Sequence, residues 1–532
     1  MADGPEQHSA SGVRAKLSLM MFLEFFIWGA WLPLIFGYLP SLGFSPIQQS
    51  WVLNAFALAS FTAMFFFTQF ADRNFAAERF VAFSHLVGGL SIMALAWVTN
   101  FWPFFLLMLV HSLFYVPTIS ITNSIAFANL KDPQHEFGRV RLWGTIGWIA
   151  ASWPFVFILV DWANVPALGD VGFVKWMGAA LGTPKSGPAL QEGVKYTFIT
   201  SGIASLLLAA ISMTLPHTPP KPAQAGDEKF AWLEATRLLK VPYVLILFIV
   251  TFFDASVHQC YFVWTNDYLK SIGIPANWVM PVMSVGQIAE VGTMAVLGYC
   301  LKALGWRYIM VLGILGHTVR FAVFALVQNP VVAVLVNVMH GVCYAFFFAT
   351  VYIFVDEFFP KNVRSSAQGL FNFLILGLGP FVGNFVWPML GDMSRVDIVR
   401  NEFPPVWMFS NTETNVALSG KAKANAEVKI RFETQDHKPM FDASTKADDK
   451  GAWALPEQRV VVPYGNQWYA VPESGATFSK ATRIDYRKLL LYPSGTALFA
   501  AFLLLTLFHP PKTKTPDDPD VATSEGGKAP NE

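Results

Sequence analysis

Long apolar runs separated by short polar stretches dominate this chain of 532 residues. A helix needs roughly 20 mostly apolar residues to cross a lipid bilayer. The runs are continuous rather than alternating, which favours helices over membrane strands. The pattern predicts an all-α polytopic membrane protein with twelve transmembrane helices, at residues 17–38, 47–70, 79–99, 102–127, 140–160, 195–215, 242–264, 277–300, 306–327, 330–354, 365–389 and 489–508.

A polar, Pro-rich loop, which begins LPHTPPKP, divides these helices into two groups of six. Two bundles joined by a linker place a binding site between them, near the middle of the membrane. The predicted units are an N-terminal tail (1–16), a first six-helix bundle (17–215), a linker (216–241), a second six-helix bundle (242–508) and a C-terminal tail (509–532).

Residues 390–488 interrupt the second bundle because they are polar. The short runs VKIRF (428–432) and RVVVPY (459–464) lie between turn residues, as strands do. The stretch ALSGKAKANAEVKIRF, followed by DDKGAWALPE, loosely resembles bacterial Ig-like repeats. We expect a small β-rich insert between helices 11 and 12, with a long irregular loop as the alternative. The C-terminal tail, rich in Pro, Lys, Asp and Gly, is expected to be disordered.

Basic residues in the loops predict the orientation of the helices. They fall on one side of the predicted membrane: Arg14, Lys16, Arg73, Arg79, Lys131, Arg139, Lys221, Lys240, Lys302, Arg307, Lys361, Arg364, Lys512 and Lys514. The short loops on the other side, near 39–46, 100–102 and 328–329, contain no Lys or Arg. The positive-inside rule therefore places both termini in the cytoplasm and the 390–488 insert on the opposite side of the membrane, outside the cytoplasm.

Composition agrees with a membrane protein and argues against other classes. Only 14% of the residues are charged, against roughly 25% in soluble domains. The net charge of +1 provides no field for nucleic acid. The cysteines Cys260, Cys300 and Cys343 lie in apolar runs without metal-ligand spacing. No phosphate loop, HExxH or GxSxG motif occurs. We therefore expect no enzyme, cofactor or metal, and an ion gradient or the gradient of the substrate itself as the energy source.

Ionisable residues inside the predicted spans are the first candidates for function. Each costs roughly 2.5–3.5 kcal/mol on insertion scales, so such residues are retained for a reason. They are Glu24, Arg141, Asp254, His258, Glu290, Arg320, His340 and Asp356.

Glu290 is the strongest of these candidates. It follows Ser284 and Gln287 at intervals of three, so the three side chains share one face of the eighth helix. A carboxyl in a low-dielectric cavity can load and release a proton, or bind a polar substrate. The alternative is a permanent pair with an arginine that holds helices together.

Glu24 and Arg141 suggest a second side to the site. Glu24 precedes Trp28 and Trp31 at four and seven residues, a face suited to a flat ring; the alternative is a carboxylate that reaches the headgroups. Arg141 precedes Thr145 by four residues and offers a fixed fork of donors. Its alternative is an interfacial anchor.

Other polar residues have weaker assignments. His340 and Tyr344 share a face of the tenth helix, and a direct role and a structural role are both open. Asp254 and His258 are spaced to pair with each other. A third group, Arg320, Asp356 and Glu357, lies near predicted helix ends, where gating and interfacial roles are equally plausible.

Several stretches resemble a known family. The loops GYCLKALGWRYIMVLG (298–313) and ADRNFAAERF (71–80) resemble the paired cytoplasmic loops of the major facilitator superfamily. More specific stretches resemble bacterial nucleoside:proton symporters: FLEFFIWGAW (22–31), SLFYVPTISITNSIAF (112–127), RLWGTIGW (141–148), Gln287 to Glu290, RFAVFA (320–325), HGVCYAFFF (340–348) and VRSSAQGLF (363–371).

The resemblance implies a nucleoside site between the two bundles. The matching positions are Arg141, Thr145, Gln259, Gln287, Glu290, His340 and Tyr344. Trp28 adds an aromatic surface, and Glu24 and Glu290 are the expected proton-coupling residues. The expected partners are a nucleoside, protons and the lipid bilayer, and the chain is expected to be a monomer.

Three positions depart from the family pattern. Ala345 occupies the place of an acid in the tenth helix, Glu24 replaces a usual Gln, and Phe262 stands where some members have Asn. We hypothesise that the titratable acid has moved across the cavity from position 345 to position 24.

The sequence thus predicts proton-coupled nucleoside uptake by alternating access. Two alternatives stay open. A sugar or oligosaccharide:proton symporter would use the same arginine, glutamate and tryptophan groups. A receptor of transporter-like fold would use the outer insert to bind a partner.

Overall fold

The computed structural model describes residues 5–63, 74–131, 133–220, 236–359, 364–398, 411–434, 439–463, 468–472 and 476–510. Within these ranges, nine helices are long and apolar enough to cross a membrane. Parts of the second predicted helix (64–70), most of the linker (221–235), the loop 360–363 and the C-terminal tail from 511 lie outside the described residues.

The long helices account for most of the described chain. They are α1 (Pro5–Ser41), α2 (Pro46–Thr62), α3 (Ala77–Ala94), α4 (Phe101–Asn129), α5 (Pro133–Ser152), α6 (Gly187–Ser212), α7 (Pro242–Ser271), α8 (Val279–Leu326), α9 (Pro330–Phe358), α10 (Arg364–Met393) and α11 (Tyr486–Leu507). Single π-helical segments interrupt α9 at Tyr344–Ala349 and α10 at Phe373–Leu378.

Helix α8 consists of two arms rather than one straight rod. Gly305 separates them with a φ of 77°, a backbone conformation that favours glycine. The two arms correspond to the predicted helices 277–300 and 306–327.

The predicted fifth helix, 140–160, is wrong at its C-terminal end. Helix α5 ends at Ser152, because Pro154 has no backbone N–H and its ring opposes a continuous helix. Short helices that the hydrophobic pattern did not predict follow before α6, at Phe155–Ile158, Leu168–Val171 and Phe173–Gly182.

Small residues bring neighbouring helices into backbone contact, as is common between membrane helices. A Cβ built on Gly147 of α5 would lie 2.1 Å from the carbonyl oxygen of Phe22 in α1. In the second half of the chain, a Cβ on Gly341 of α9 would lie 2.2 Å from the backbone nitrogen of Glu290 in α8. These approaches fix the helices that carry the candidate site residues.

We call the end of the molecule where α1 ends at Ser41 and α10 ends at Met393 the insert end. Hydrogen bonds join the two halves of the chain there. Asn266 Nδ2 donates to the Pro33 carbonyl at 3.0 Å. In the segment that precedes α8, Asn277 Nδ2 donates to the Val156 carbonyl, also at 3.0 Å. Trp278 Nε1 donates to the Leu181 carbonyl at 3.0 Å. The short helices after α5 thus help to hold the insert end together.

Strands, rather than the alternative irregular loop, follow α10. They are β1 (Arg395–Ile398), β2 (Asn411–Lys421), β3 (Glu427–Thr434), β4 (Pro439–Lys446), β5 (Ala452–Pro463), β6 (Trp468–Pro472) and β7 (Thr477–Ile484). Antiparallel pairing gives one sheet of order β1-β7-β2-β5 and another of order β4-β3-β6. The two sheets share a core that includes Val416, Ile430, Phe432 and Trp453.

Arg459 of β5 connects this strand segment to both halves of the helical part. One of its guanidinium nitrogens, NH2, lies 3.9 Å from Asp267 Oδ1 near the end of α7. A Cβ built on Gly37 of α1 would lie 2.9 Å from the same nitrogen. Lys270 Nζ lies 3.5 Å from Asp267 Oδ1. The strand segment therefore rests on the insert end of the helices.

Candidate functional site

Three candidate residues from opposite halves of the chain form one electrostatic cluster. The guanidinium of Arg141, on α5, lies within electrostatic range of the Glu290 carboxyl on α8 and of the Tyr344 hydroxyl on α9. The three side chains are half-buried, so they keep an accessible surface. This cluster offers charged donors, charged acceptors and a hydroxyl to a polar ligand.

Arg141 is held in place by an aromatic ring. Its guanidinium carbon lies 3.9 Å from the centroid of the Phe25 ring, a cation–π contact. Gly144, one turn away, leaves room for the guanidinium: a Cβ there would lie 2.8 Å from its NH1. Thr145 is half-buried one turn along α5 from Arg141. The predicted interfacial anchoring does not describe Arg141, whereas Arg139 is exposed.

Trp28 supplies the aromatic surface next to this region. Its ring stacks on Phe56 at 4.9 Å and 12°, and meets Trp148 edge-on at 5.3 Å. Its Nε1 is buried and has no hydrogen-bond partner among the described residues. The same holds for Gln287 Oε1 on α8. An unsatisfied buried polar group costs about 1–3 kcal/mol, which a bound ligand with matching groups would offset.

Gln259 takes part in a polar chain between the two halves. Its Nε2 donates to Asn384 Oδ1 at 2.8 Å, and Asn384 Nδ2 donates to Asn54 Oδ1 of α2 at 2.9 Å. The Ser50 hydroxyl donates to the Asn384 carbonyl at 2.7 Å. The predicted role of Gln259 in ligand binding stays a prediction, and the structure adds a role in joining α2, α7 and α10.

His340 has a different environment from Tyr344, although they share a helix. The ring of His340 is 2% exposed, and its Nδ1 contacts Arg320 NH1 at 2.8 Å. The other arm of that guanidinium contacts His317 Nδ1 at 2.9 Å. Arg320 itself is fully buried and covers the Tyr261 ring at 4.3 Å. Arg320 does lie six residues before the end of α8, as predicted, but its buried side chain points into the bundle, which does not fit an interfacial role.

The predicted pair of Asp254 and His258 is also wrong. The nearest imidazole to the Asp254 carboxyl belongs to His317, whose Nε2 lies 3.7 Å from Asp254 Oδ2. The His258 ring instead stacks on His340 at 4.9 Å. Spacing within α7 alone did not show that a second helix, α8, provides the closer partner.

Glu24 is fully buried within the first half of the chain, and it does not reach the headgroups. Its Oε2 lies 2.9 Å from His85 Nε2, and its Oε1 accepts a hydrogen bond from Thr118 at 2.8 Å. Trp31 is also buried and meets the His111 ring edge-on at 6.1 Å. Of the predicted face of Glu24, Trp28 and Trp31, only Trp28 is half-buried, so it alone is accessible to a flat ring.

The sequence analysis missed His85 and His111. A histidine on an apolar helix is usually a core residue, and neither of these two lies three or four residues from an acid in its own helix. Their lone position inside a predicted span was the available signal, since intramembrane ionisable residues are rare.

Comparison with known proteins identifies the family. A family model described as nucleoside H+ symporter matches residues 11–169 and 160–419. The protein YegT of Escherichia coli (strain K12), whose description assigns it provisionally to nucleoside transport, is 34% identical over 377 residues, which cover 69% of this chain and 82% of YegT. The xanthosine permease of the same organism is 27% identical over 415 residues, or 74% of this chain and 92% of that protein.

Solved structures show the same fold. The crystal structure of the nucleoside transporter NupG superimposes with a TM-score of 0.63 at 20% identity, and the match covers 94% of this chain and 100% of that one. The D-xylose-proton symporter matches with a TM-score of 0.52 over 72% of this chain and 91% of that one. Transporters of the major facilitator type are thus its structural neighbours, as predicted. Together with the family model, they show that this chain is a multi-pass membrane transporter that belongs to the nucleoside:H+ symporter family.

Proposed function

We propose that the protein drives nucleosides into a bacterial cell, across the inner membrane, with the proton gradient as its energy source. Membership of the nucleoside:H+ symporter family supports the coupling, and the xanthosine permease and NupG support the substrate class. Lipid, nucleoside and protons are the partners, and one chain is the working unit. The relatives favour nucleosides over the sugar alternative.

One observation carries this proposal: Arg141, in the first half of the chain, interacts electrostatically with Glu290 and Tyr344, in the second half. Ribose hydroxyls need both donors and acceptors, which these three groups supply. Gln287 can accept from a base edge, and the indole of Trp28 offers a ring and an N–H. Because the groups come from both bundles, a bound nucleoside would change its contacts whenever the bundles rock, as alternating access requires.

Twelve crossings account for the helices better than nine. Helix α8 contributes two crossings because it breaks at Gly305. Helix α2 has 17 described residues and ends next to undescribed chain, and α5 begins with a polar turn. The described part of α2 is therefore short for a membrane crossing, and α5 is less apolar than the nine helices counted above. With twelve crossings both termini lie on one side, which the basic residues place in the cytoplasm, and the strand segment lies outside.

Glu24 and Glu290 are the proposed proton-binding groups. Ala345, which occupies the expected position of an acid, is fully buried and offers no titratable group. A proton that moves inward through 100 mV supplies about 2.3 kcal/mol, enough for roughly fiftyfold accumulation.

Uptake of labelled uridine and adenosine tests the function. Cells without their own nucleoside transporters would express the chain, with and without a protonophore. We expect accumulation that collapses with the protonophore. Equilibration alone would indicate a facilitator, and absence of uptake by correctly inserted protein would contradict the nucleoside assignment. Excess free ribose should not compete.

A matched pair of variants tests the site itself. Arg141→Gln should weaken nucleoside binding about tenfold or more, because hydrogen bonds to charged groups contribute about 1.5–3 kcal/mol. Arg139→Gln removes the same charge two residues away on an exposed surface and should leave binding unchanged. Direct binding to the two purified variants provides the measurement. Equal affinities in both would remove Arg141 from the site.

A further inference from the structure

Glu24 and His85 form a buried pair of titratable groups. Their side chains are 0% and 1% exposed to solvent, respectively. Glu24 lies on α1 and His85 on α3. The distance from Glu24 Oε2 to His85 Nε2 is 2.9 Å. Two such groups at this depth are costly unless each satisfies the other.

The hydrogen-bond network around His85 fixes where its first proton lies. The Ser205 hydroxyl on α6 donates to the His85 carbonyl at 2.9 Å. That hydroxyl has one hydrogen, so its lone pairs face His85 Nδ1, which lies 3.0 Å away. With the hydroxyl hydrogen assigned to the carbonyl in this way, Nδ1 carries the imidazole hydrogen, and Nε2 is left to interact with Glu24.

It follows that the contact between Nε2 and Oε2 requires one further proton. When that proton is present, it lies on Nε2 as imidazolium facing carboxylate, or on Oε2 as carboxylic acid facing neutral imidazole. When it is absent, lone pairs of nitrogen and oxygen face each other at 2.9 Å. The contact then becomes repulsive, and a carboxylate is left buried with Thr118 as its side-chain donor.

We propose that Glu24 and His85 together form the site that binds the transported proton, and that loss of this proton separates α1 from α3. The proposal rests on the proton coupling proposed above. One proton enters and leaves as such, and no other bond is made or broken. Occupation of the site stabilises the arrangement described here, in which the insert end is held together.

Helices α4, α5 and α6 place polar or ionisable groups around the Glu24–His85 pair. Helix α4 provides Tyr115, whose hydroxyl donates to the Glu24 carbonyl at 2.7 Å, and His111, whose ring stacks on Tyr115 at 5.3 Å. Helix α5 provides Arg141, within electrostatic range of Tyr115. Helix α6 provides Ser205.

Tyr115 also links the proton site to the proposed nucleoside site. Its ring meets Trp28 at 6.4 Å, so it contacts both the backbone of Glu24 and the aromatic surface of the nucleoside site. A shift of α1 after proton loss would move Glu24 and Trp28 together, because both lie on that helix. Proton occupancy and nucleoside binding would then change in step.

Two conservative variants of the full-length protein test the proposal. Glu24→Gln cannot bind or release a proton. His85→Gln places an amide N–H opposite Glu24 that is present without a bound proton. We expect both variants to retain exchange of labelled for unlabelled nucleoside while their accumulation ratio falls to about one. The pH dependence of nucleoside binding should also disappear. The matched control is His111→Gln, which replaces an equally buried imidazole bonded to the Gly88 carbonyl; it should retain accumulation that a protonophore abolishes.

A readout without substrate separates this proposal from the proposed function. Infrared difference spectra of the purified protein between acidic and alkaline buffer should contain a carboxylic acid band that Glu24→Gln removes. Ser205→Ala, which frees the His85 tautomer, should shift the pH at which that band changes. Protonophore-sensitive accumulation that persists in Glu24→Gln or His85→Gln would overturn the proton site while leaving the function intact. If the carboxylic acid band of Glu24 were present but the protein transported no nucleoside, the proposed function would be contradicted and the proton site would stand.

Discussion

Two tryptophans of the first helix have the same unpaired group in different surroundings. The Nε1 atoms of Trp28 and Trp31 are both buried without a partner among the described residues. Trp28 is half-buried beside Phe56 and Trp148, whereas Trp31 is 3% exposed and lies in the core. A phenylalanine at either position keeps an aromatic ring and removes the N–H.

We predict that Trp28→Phe weakens nucleoside binding about three- to tenfold, because a typical hydrogen bond contributes about 0.5–1.5 kcal/mol. Trp31→Phe, the matched control, should leave the affinity unchanged. Titration of both purified variants with uridine gives the comparison. A loss of affinity in Trp31→Phe as large as in Trp28→Phe would mean that the effect is on packing and not on the ligand.

At this scale the sequence predicted which residues are unusual, but not what they touch. Arg141 and Glu290 stood out because charge inside a membrane is rare. The partners of Glu24 and Asp254 are histidines of other helices, and helical spacing within one helix contains no information about them. The same limit applies to Arg320, whose side chain contacts His317 and His340 in the interior.

Glycine positions decide how closely α8 and α9 approach. We predict that Gly341→Ala destabilises the protein by about 1–3 kcal/mol, because its Cβ would meet the Glu290 backbone nitrogen at 2.2 Å. Nucleoside affinity should fall as well, since Glu290 must shift. Melting temperature and binding would be measured on the same purified samples.

Gly298 of α8 is the control for this substitution. A Cβ there meets nothing within 4 Å. Alanine is the better helix former by up to about 1 kcal/mol, so Gly298→Ala should melt at the same or a higher temperature. If Gly341→Ala were equally stable, α8 and α9 would have to be farther apart than described.

The elements themselves followed closely from hydrophobic run length. Most predicted helices coincide with described ones; the run VKIRF lies in β3, and the described part of RVVVPY, residues 459–463, lies in β5. The prediction failed where run length is not the deciding quantity. The run through 160 is apolar enough to continue α5, yet Pro154 ends it, and the short helices that follow are stabilised by contacts with Asn277 and Trp278.

For the molecule as a whole, Arg459 connects the two halves of the helical part at the insert end, because it lies next to both Asp267 of α7 and Gly37 of α1. Burial lowers the pKa of its guanidinium, and the nearby Asp267 carboxyl offsets part of that effect. We predict that Arg459→Ala lengthens the mean distance between the ends of α1 and α7. Spin labels on cysteines introduced at Ser41 and Ser271, in a chain with the half-buried Cys300 replaced by serine, would report that distance.

Arg431→Ala is the corresponding control. Arg431 lies in β3, where it pairs with Asp442 at 3.3 Å within the strand segment. Its removal should leave the distance distribution as in the wild type. An unchanged distribution in Arg459→Ala would show that the hydrogen bonds of Asn266, Asn277 and Trp278 suffice to hold this end closed.

The division into two groups of helices stays a prediction, which rests on the polar linker and on the number of apolar runs. The seating of the strand segment could not be predicted, because it depends on a long-range contact between Arg459 and residues near position 267. No local pattern in the chain encodes such a contact.

The strand segment has a practical consequence for imaging the molecule. Strand β1 begins two residues after α10 ends, and β7 ends two residues before α11 begins. The Asp485 N–H also donates to the Ser394 carbonyl at 2.9 Å, which closes the base of the segment. A folded unit attached this way, without a slack tether and braced by Arg459, should move as one body with the helices. It would serve as a natural fiducial for aligning single particles by electron cryomicroscopy, a task for which transporters of this size usually need an added antibody fragment.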